Sequence, residues 1–430
     1  MSQWLNQIID RASSRLATGG DFLNPVRANA LVRLKEQSWP GRRTEAWRYT
    51  SLHAVEALAE EGNKQPPSPA IEPAVAHNIE VAGLDSIDLL FVDGELKTDL
   101  AAVALPAGLH ISLFSQPSND ARAVAGQLFT QVKPERHLFG LVNDVMASEG
   151  VIIDIDAGAD IGPAIRVINI VNDGMESHNR VLVRIGDEAK VTVIEHGAGS
   201  GASMNTAFAE YALGREAKLE HYRFALHGGD AIHIGGSHFN MGESSRLNST
   251  LVGYGSQLSR LDVDIHHAAE HAFAKFNNIY LLGTNEHFDL HSTIEHAMPN
   301  GTTEENARGI VGDNAKAVFN GRIHIHRDAQ KTLAELNNRN LLLSRRGQIN
   351  TKPELEIYAD DVQCAHGATV AEVNESALFY LLTRGISRSQ ALVMLNFGFI
   401  QELVEQMPND ALRNWLQPQL RERFASMEVK

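Results

Sequence analysis

The chain of 430 residues carries 53 acidic against 38 basic residues, a formal charge of −15, and a single cysteine. Such a length supports a sizeable core and about two or three domains, or one long solenoid, and excludes a disordered chain or a small disulfide-stapled fold. The acidic balance argues against nucleic-acid binding, which rests on clustered Lys and Arg, and a lone thiol fits a reducing, cytoplasmic compartment.

The N-terminal "MSQWLNQIIDRASSRLATGG" has no basic stretch followed by a long apolar core, so it reads as an amphipathic helix and not as a secretory signal. No apolar run reaches the roughly 18 residues of a membrane span, and no membrane association is expected. Helical spacing recurs in "RANALVRLKEQSW" and "SLHAVEALAEEG". Between them, "PGRRTEAWRYT" reads as a turn and helix in which Trp47 and Tyr49 help to fix the N-terminal domain. Residues 62–78, "GNKQPPSPAIEPAVAHN", form a Pro-rich linker. Strand-like "IDLLFVDGEL" and "GLHISLF", then helical "ARAVAGQLFTQV" and "HLFGLVNDVMASEG", complete a mainly helical N-terminal domain over residues 1–148.

From about Val151 the pattern changes to short β-type runs punctuated by Gly, Asn and Asp, assigned to a core over residues 149–372. "GDEAKVTVIEH" at Gly186, "GREAKLEHYRF" at Gly214 and "GESSRLNSTLV" at Gly242 repeat every 28 residues. A second series begins at Gly255, Gly283 and Gly312, offset by about half a period. Strands at fixed spacing, each preceded by a turn glycine, suit a stacked parallel β-helix. A jelly-roll or cupin barrel is the competing all-β reading, and the length of the β region exceeds one such barrel.

Residues 373–430 return to helical spacing. Asn374 is a candidate N-cap for "NESALFYLLTRG", with Gly385 as its stop. Ser387 is a candidate cap for one helix running through "RSQALVMLNFGFIQELVEQM" to Pro408, and "NDALRNWLQPQLRERFASM" supplies a last amphipathic piece.

Nineteen histidines invite a metal reading. On strands, His287, Asp289 and His291 share one face, as do Asp262, Asp264 and His266. Such mixtures hold iron in cupin-type sites, which makes a stand-alone His-ligated metal enzyme, using His266, His287 and His291, the alternative function. Stacked coils also line like residues into hydrogen-bonded ladders. With no H-E-x-x-H signature the ladder is preferred, for these residues and for His324 with His326. No G-x-S-x-G elbow or Walker loop occurs, so serine-hydrolase chemistry and direct nucleotide binding of that type are not expected. Cys364 and His366, in "IYADDVQCAHGATV", point to one side of an extended strand. A structural zinc or a cluster takes about four ligands, so the pair is half a metal site, or Cys364 is simply a small buried hydrophobe.

The segments "AVFNGRIHIHRDAQKT", "LNNRNLLLSRRGQINTKPELEIYADDVQCAHGATV" and "LFYLLTRGISRSQAL" follow one another in the C-terminal third. In them the chain resembles the SufB/SufD family of iron–sulfur cluster assembly, and "GRRTEAWRYTSL" extends the likeness towards the SufD branch. A lone cysteine also fits that branch better than the cysteine-richer SufB scaffolds. The resemblance implies a right-handed parallel β-helix core flanked by N-terminal and C-terminal helical domains. It implies a non-catalytic subunit in a complex of one SufB, one SufD and two copies of the ABC-type ATPase SufC. Cys364 and His366 would then be completed by a SufB-like paralogue around a transient, shared iron–sulfur cluster, with no nucleotide bound by this chain. The C-terminal helices would dock the SufC-like ATPase, with Phe379, Tyr380, Arg384, Phe397 and Phe399 as candidates that can equally pack the bundle. Alone, the chain is a candidate homodimer.

Overall fold

A computed structural model describes residues 2–19, 21–59, 79–199 and 201–427. The Pro-rich linker expected at residues 62–78 lies outside the described residues. Two long sheets dominate. The first holds β1 (Ser86–Val92), β2 (Glu95–Leu96), β5 (Ala164–Ile170), β7 (Lys190–Gly199), β9 (Lys218–His227), β11 (Arg246–Tyr254), β13 (Phe273–Leu282), β15 (Thr302–Val311), β17 (Leu333–Leu342) and β19 (Gln363–Glu372). The second holds β3 (Leu109–Leu113), β4 (Glu149–Ile155), β6 (Glu176–Ile185), β8 (Met204–Leu213), β10 (Ile232–Met241), β12 (Leu258–His267), β14 (His287–His296), β16 (Lys316–Ile325) and β18 (Gln348–Ile357).

From β4 onward the chain alternates between the sheets, and each strand pairs parallel with the strand two further on, which makes a parallel β-helix. The jelly-roll and cupin alternative is thereby excluded. The two glycine-led series of the sequence are the two sheets: Lys190 stands opposite Lys218, and Lys218 opposite Arg246, while His287 stands opposite Lys316. The half-period offset is the crossing from one sheet to the other. Upstream strands also join: β1 pairs parallel with β5, and β3 closes the second sheet antiparallel to β4.

In-register stacking fixes which side chains face inward. Val191, Leu219, Leu247 and Ala274 of successive coils line the lumen with Val263, Leu290 and Ile323 from the other sheet. Each fully buried aliphatic contributes on the order of 1.5–3 kcal/mol. One corner is made the same way in six coils. Glu188, Glu216, Ser244, His271, Asn300 and Lys331, each two residues before a strand of the first sheet, adopt φ between 55 and 62°. Each corner amide donates to a carbonyl of the next coil, as Ser244 N does to Glu270 O at 2.9 Å. A left-handed conformation costs a non-glycine residue roughly 1–2 kcal/mol, and the inter-coil bond offsets it.

The lumen also holds charge. Glu195 accepts from Arg223 Nη1 (2.7 Å), Ser237 Oγ (2.7 Å) and Tyr211 Oη (3.0 Å), with His221 Nε2 at 3.0 Å. Burial alone pushes this carboxyl up, but Arg223, His221 and Ser237 together hold it down at about 2. Glu305 is different. It is fully buried between Phe276 and Leu336 of the neighbouring coils, and Ser292 Oγ donates to it at 2.6 Å. Burial raises its pKa to about 7, a rise the serine only partly offsets.

Helices cover both outer faces. At the N-terminal end, α1 (Gln3–Thr18), α2 (Asn24–Glu36), α3 (His53–Ala57), α4 (Asn119–Leu128) and α5 (Leu138–Met146) pack on the second sheet. There Trp4 and Phe139 meet sheet residues Phe208 and Ile234. At the C-terminal end, α6 (Glu375–Thr383), α7 (Arg388–Asn396), α8 (Gly398–Val404) and α9 (Asp410–Ser426) cover the first sheet over Tyr222, Phe224, Ile279 and Ile310. Asn374 and Ser387 cap α6 and α7 as their sequence positions require, Ser387 through a capping box with Gln390. The single helix expected after Ser387 is two. Asn396 turns its side chain back to Leu392 O, Gly398 follows, and the turn tightens so that Ile400 N bonds Phe397 O at 3.2 Å.

Two outcomes follow from the corner and the lumen. Ser244→Gly should raise stability by up to about 1 kcal/mol and Ser244→Val lower it by about 1–2 kcal/mol in denaturant titrations, because only glycine escapes the left-handed cost. Glu305 has a folded pKa of about 7, above its unfolded value of 4.5. Its favourable contribution is complete below the unfolded value and lost as pH rises through the folded one. Glu305→Gln should therefore stabilise the chain by about 2–3 kcal/mol at pH 8, with the gain vanishing near pH 4.5.

Candidate functional site

The end of the solenoid differs from its middle. Internal strands such as β9 and β13 are almost wholly buried, whereas β18 has no buried residue and β19 is exposed at every position except half-buried Cys364. In β19, Cys364 stands in register with Ala334 and His366 with Leu336, both of which are fully buried in the lumen. Cys364 and His366 therefore share the lumen side of the last coil, where no further coil follows among the described residues. Cys364 packs against the end of the lumen core. Burial pushes its thiol up, partly offset by a backbone hydrogen bond from Ala334. At neutral pH it is thus a thiol that a metal must deprotonate on binding. His366 is exposed.

The C-terminal bundle sorts the aromatic candidates. Phe379 and Tyr380 are 68% and 57% exposed, joined by Met394 at 64%. Arg384 lies over the Tyr380 ring at 5.2 Å and donates to its hydroxyl at 3.3 Å. Phe397 is buried against Phe424 and packs the bundle itself, and half-buried Phe399 lies beneath Arg308. Met394 was not singled out by sequence because its helix has apolar residues on every side.

The histidine-bearing strands form a ladder on the outer face of the second sheet, under the N-terminal region. Arg260 holds Asp262 through two bonds (3.2 and 2.9 Å) and donates to Asp289 Oδ2 at 2.8 Å and to Ala46 O at 2.6 Å. Trp47 covers the Arg260 guanidinium at 4.0 Å. Thr50 Oγ1 donates to Asp289 at 2.6 Å, whereas the Tyr49 ring is exposed. Burial pushes Asp289 up, but Arg260, His291 and His287 overcome it and hold the group well below the usual range. His266, His287 and His291 are not brought together: His266 meets Asn240 at 3.1 Å, His287 meets Thr50 at 3.0 Å and His291 meets Asp289 at 3.0 Å.

Sequence reading passed over two histidines here. His238 of β10 stands in register with Asp264 of β12, and its Nδ1 lies 2.8 Å from Asp264 Oδ2. His137, immediately before α5, places Nε2 2.8 Å from the same oxygen. Burial lowers the His238 pKa to about 4, so the ring is neutral. Aligning β10 on β12 would have found His238, but β10 falls outside the glycine-led series. His137 reaches the cluster only through tertiary packing.

Comparison with known proteins agrees with this architecture. The family described as "SUF system FeS cluster assembly, SufBD core domain" matches residues 168–399, and "SufBD protein N-terminal region" matches residues 5–167. An iron–sulfur cluster assembly SufBD family protein of Synechocystis is 28% identical over 413 residues, covering 93% of this chain and 90% of the relative. The iron–sulfur cluster assembly protein SufD of Escherichia coli is 27% identical over 413 residues, covering 94% of each chain. The SufB protein of Bacillus subtilis is 22% identical over 281 residues, or 64% of this chain and 60% of the relative. With both family regions matched end to end and a parallel β-helix carrying them, the chain belongs to the SufBD family of the SUF system for iron–sulfur cluster assembly.

Proposed function

We propose that this chain is a non-catalytic scaffold subunit of a cytoplasmic SUF assembly complex, joined to a SufB-like paralogue through the open end of its β-helix. The observation that carries this reading is that β18 has no buried residue and β19 is exposed at every position but half-buried Cys364. An unpaired strand edge is a template for another strand, and a solenoid end left uncovered calls for a cap. A second β-helix supplies both. Cys364 and His366 sit on that edge, so a partner closing it brings its own ligands to theirs. One thiolate and one imidazole from this side, completed from the other, suit a nascent iron–sulfur cluster held as cargo in transit. The imidazole is the more easily released ligand.

The C-terminal bundle is the docking point for a SufC-like ABC ATPase, through the exposed patch of Phe379, Tyr380 and Arg384. The chain binds no nucleotide directly. Its coupling is mechanical: Arg423 ties α9 to the solenoid through Leu281 O (3.0 Å) and Glu286 (2.6 Å), and the bundle core is continuous with the first sheet. Displacement of the bundle on ATP-driven dimerisation of the ATPase is thus passed to the sheet that ends in β19.

The complex co-expressed anaerobically with its SufB-like and SufC-like partners should lose most of its iron and acid-labile sulfide when His366→Ala is introduced, with the three subunits still co-purifying. Unchanged iron and sulfide in an intact mutant complex would assign the site to the partner alone. Phe379→Asp with Tyr380→Asp should weaken binding of the ATPase subunit by more than about 10-fold in titration calorimetry, as expected for exposed aromatic anchors. Because both side chains are largely exposed, the melting temperature of the isolated chain should hardly change.

A further inference from the structure

We propose that His137, His238 and Asp264 form a binding site for one divalent first-row transition-metal ion, separate from Cys364 and His366. Among the described residues this is the one set of three ligand-type side chains whose ligand atoms lie within 4.8 Å of one another. The three come from separate elements. His137 precedes α5, while His238 and Asp264 occupy register-matched positions of adjacent strands. Both imidazoles converge on one oxygen, Asp264 Oδ2, at 2.8 Å each. The second oxygen of Asp264 is held by Arg136, which keeps the carboxylate turned towards the two rings.

His137 is placed as a ligand to an ion of this class requires. Metal-bound imidazoles carry their proton on the other ring nitrogen, facing a carboxylate or carbonyl. His137 Nδ1 faces Asp262 Oδ1 at 3.7 Å, and Asp262 is itself clamped by Arg260. The His238 ring is stacked on Phe208 and has no hydrogen-bond partner at Nε2, so its polar tie is the nitrogen aimed at Asp264. A cavity of about 140 Å³ opens beside the cluster, its polar lining made by His137, Asp262, Asp264, His291 and Thr293 together with Arg136 and Arg260, which pair with Asp264 and Asp262. It leaves room for a water or small anion at a fourth position. Two nitrogens and one carboxylate oxygen are borderline donors that suit Zn²⁺ or Fe²⁺, and the lack of a thiolate sets the cluster apart from an iron–sulfur site. On binding, the ion would take the place of the two hydrogen bonds between the rings and Asp264, with His137 Nδ1 turned towards Asp262. The ion would pin the start of α5 to the second sheet.

The test uses the purified full-length chain without partners, so that its outcome is independent of the scaffold reading. The chain is stripped with chelator and dialysed anaerobically against Zn²⁺, Fe²⁺ or Co²⁺ in separate arms. One ion per chain is expected, with a Co²⁺ ligand-field spectrum lacking thiolate charge transfer and a melting temperature that rises with free metal. His137→Gln and His238→Asn each retain an amide donor towards Asp264 while removing an imidazole. Each should weaken binding by more than about 10-fold and abolish the metal-dependent rise. Melting without metal confirms that each variant is folded. Cys364→Ser with His366→Ala should leave binding unchanged. The proposal is overturned if the native chain takes up no ion, if the conservative variants bind as tightly as native, or if binding is lost with Cys364 and His366 instead.

Discussion

Everything in this molecule depends on parallel strands stacking in register, coil upon coil. A coil cannot satisfy its own backbone: each strand lends its amides and carbonyls to the coils on either side, and each inward apolar residue is covered by its counterparts one coil away. The six left-handed corners are the local consequence. A tight corner at one fixed place lets successive coils superpose, and the inter-coil bond it makes repays the backbone strain.

The same constraint makes the two ends unequal. At the start, β1 with its hairpin partner β2 and antiparallel β3 close the stack, while the N-terminal helices lie on the face of the second sheet. At the finish, the chain leaves β19 and its helices turn back over the side of the first sheet, so they cover Tyr222 and Ile310 and not the last edge. A SufBD-family chain built this way leaves unused, at its exposed edge, the parallel pairing that its described strands make fifteen times.

Polar groups buried off the axis of apolar packing hold the registers and domains in place. Glu195 with Arg223, His221, Tyr211 and Ser237 ties the two sheets across the lumen, and the Arg260 ladder ties the N-terminal region to the second sheet. Removing one partner from such a set leaves a buried charge uncompensated, at a cost of about 3–5 kcal/mol, so a slipped register is heavily disfavoured. Trp47 serves this ladder as a lid over Arg260, which gives the eye-catching "RRTEAWRYT" string a structural job on the β-helix as well as within its own domain.

Local physics explains what was legible in the sequence. The repeat period, the half-period offset, the caps Asn374 and Ser387, and the two-residue spacing of Cys364 and His366 all depend on residues near one another in the chain, and each survives in the structure. The break at Asn396–Gly398 was missed because apolar spacing continues across it. The amino-acid sequence by itself determined a repeating β-core between helical ends, and its motifs marked the family. Only the tertiary structure decided that Phe397 lies inside the bundle while Phe379 lies outside, that β19 is an open edge, and that His137 meets His238 and Asp264. Those facts arise where elements distant in the chain pack together, and apart from the one-coil step that pairs His238 with Asp264, no periodicity in the chain encodes which faces will meet.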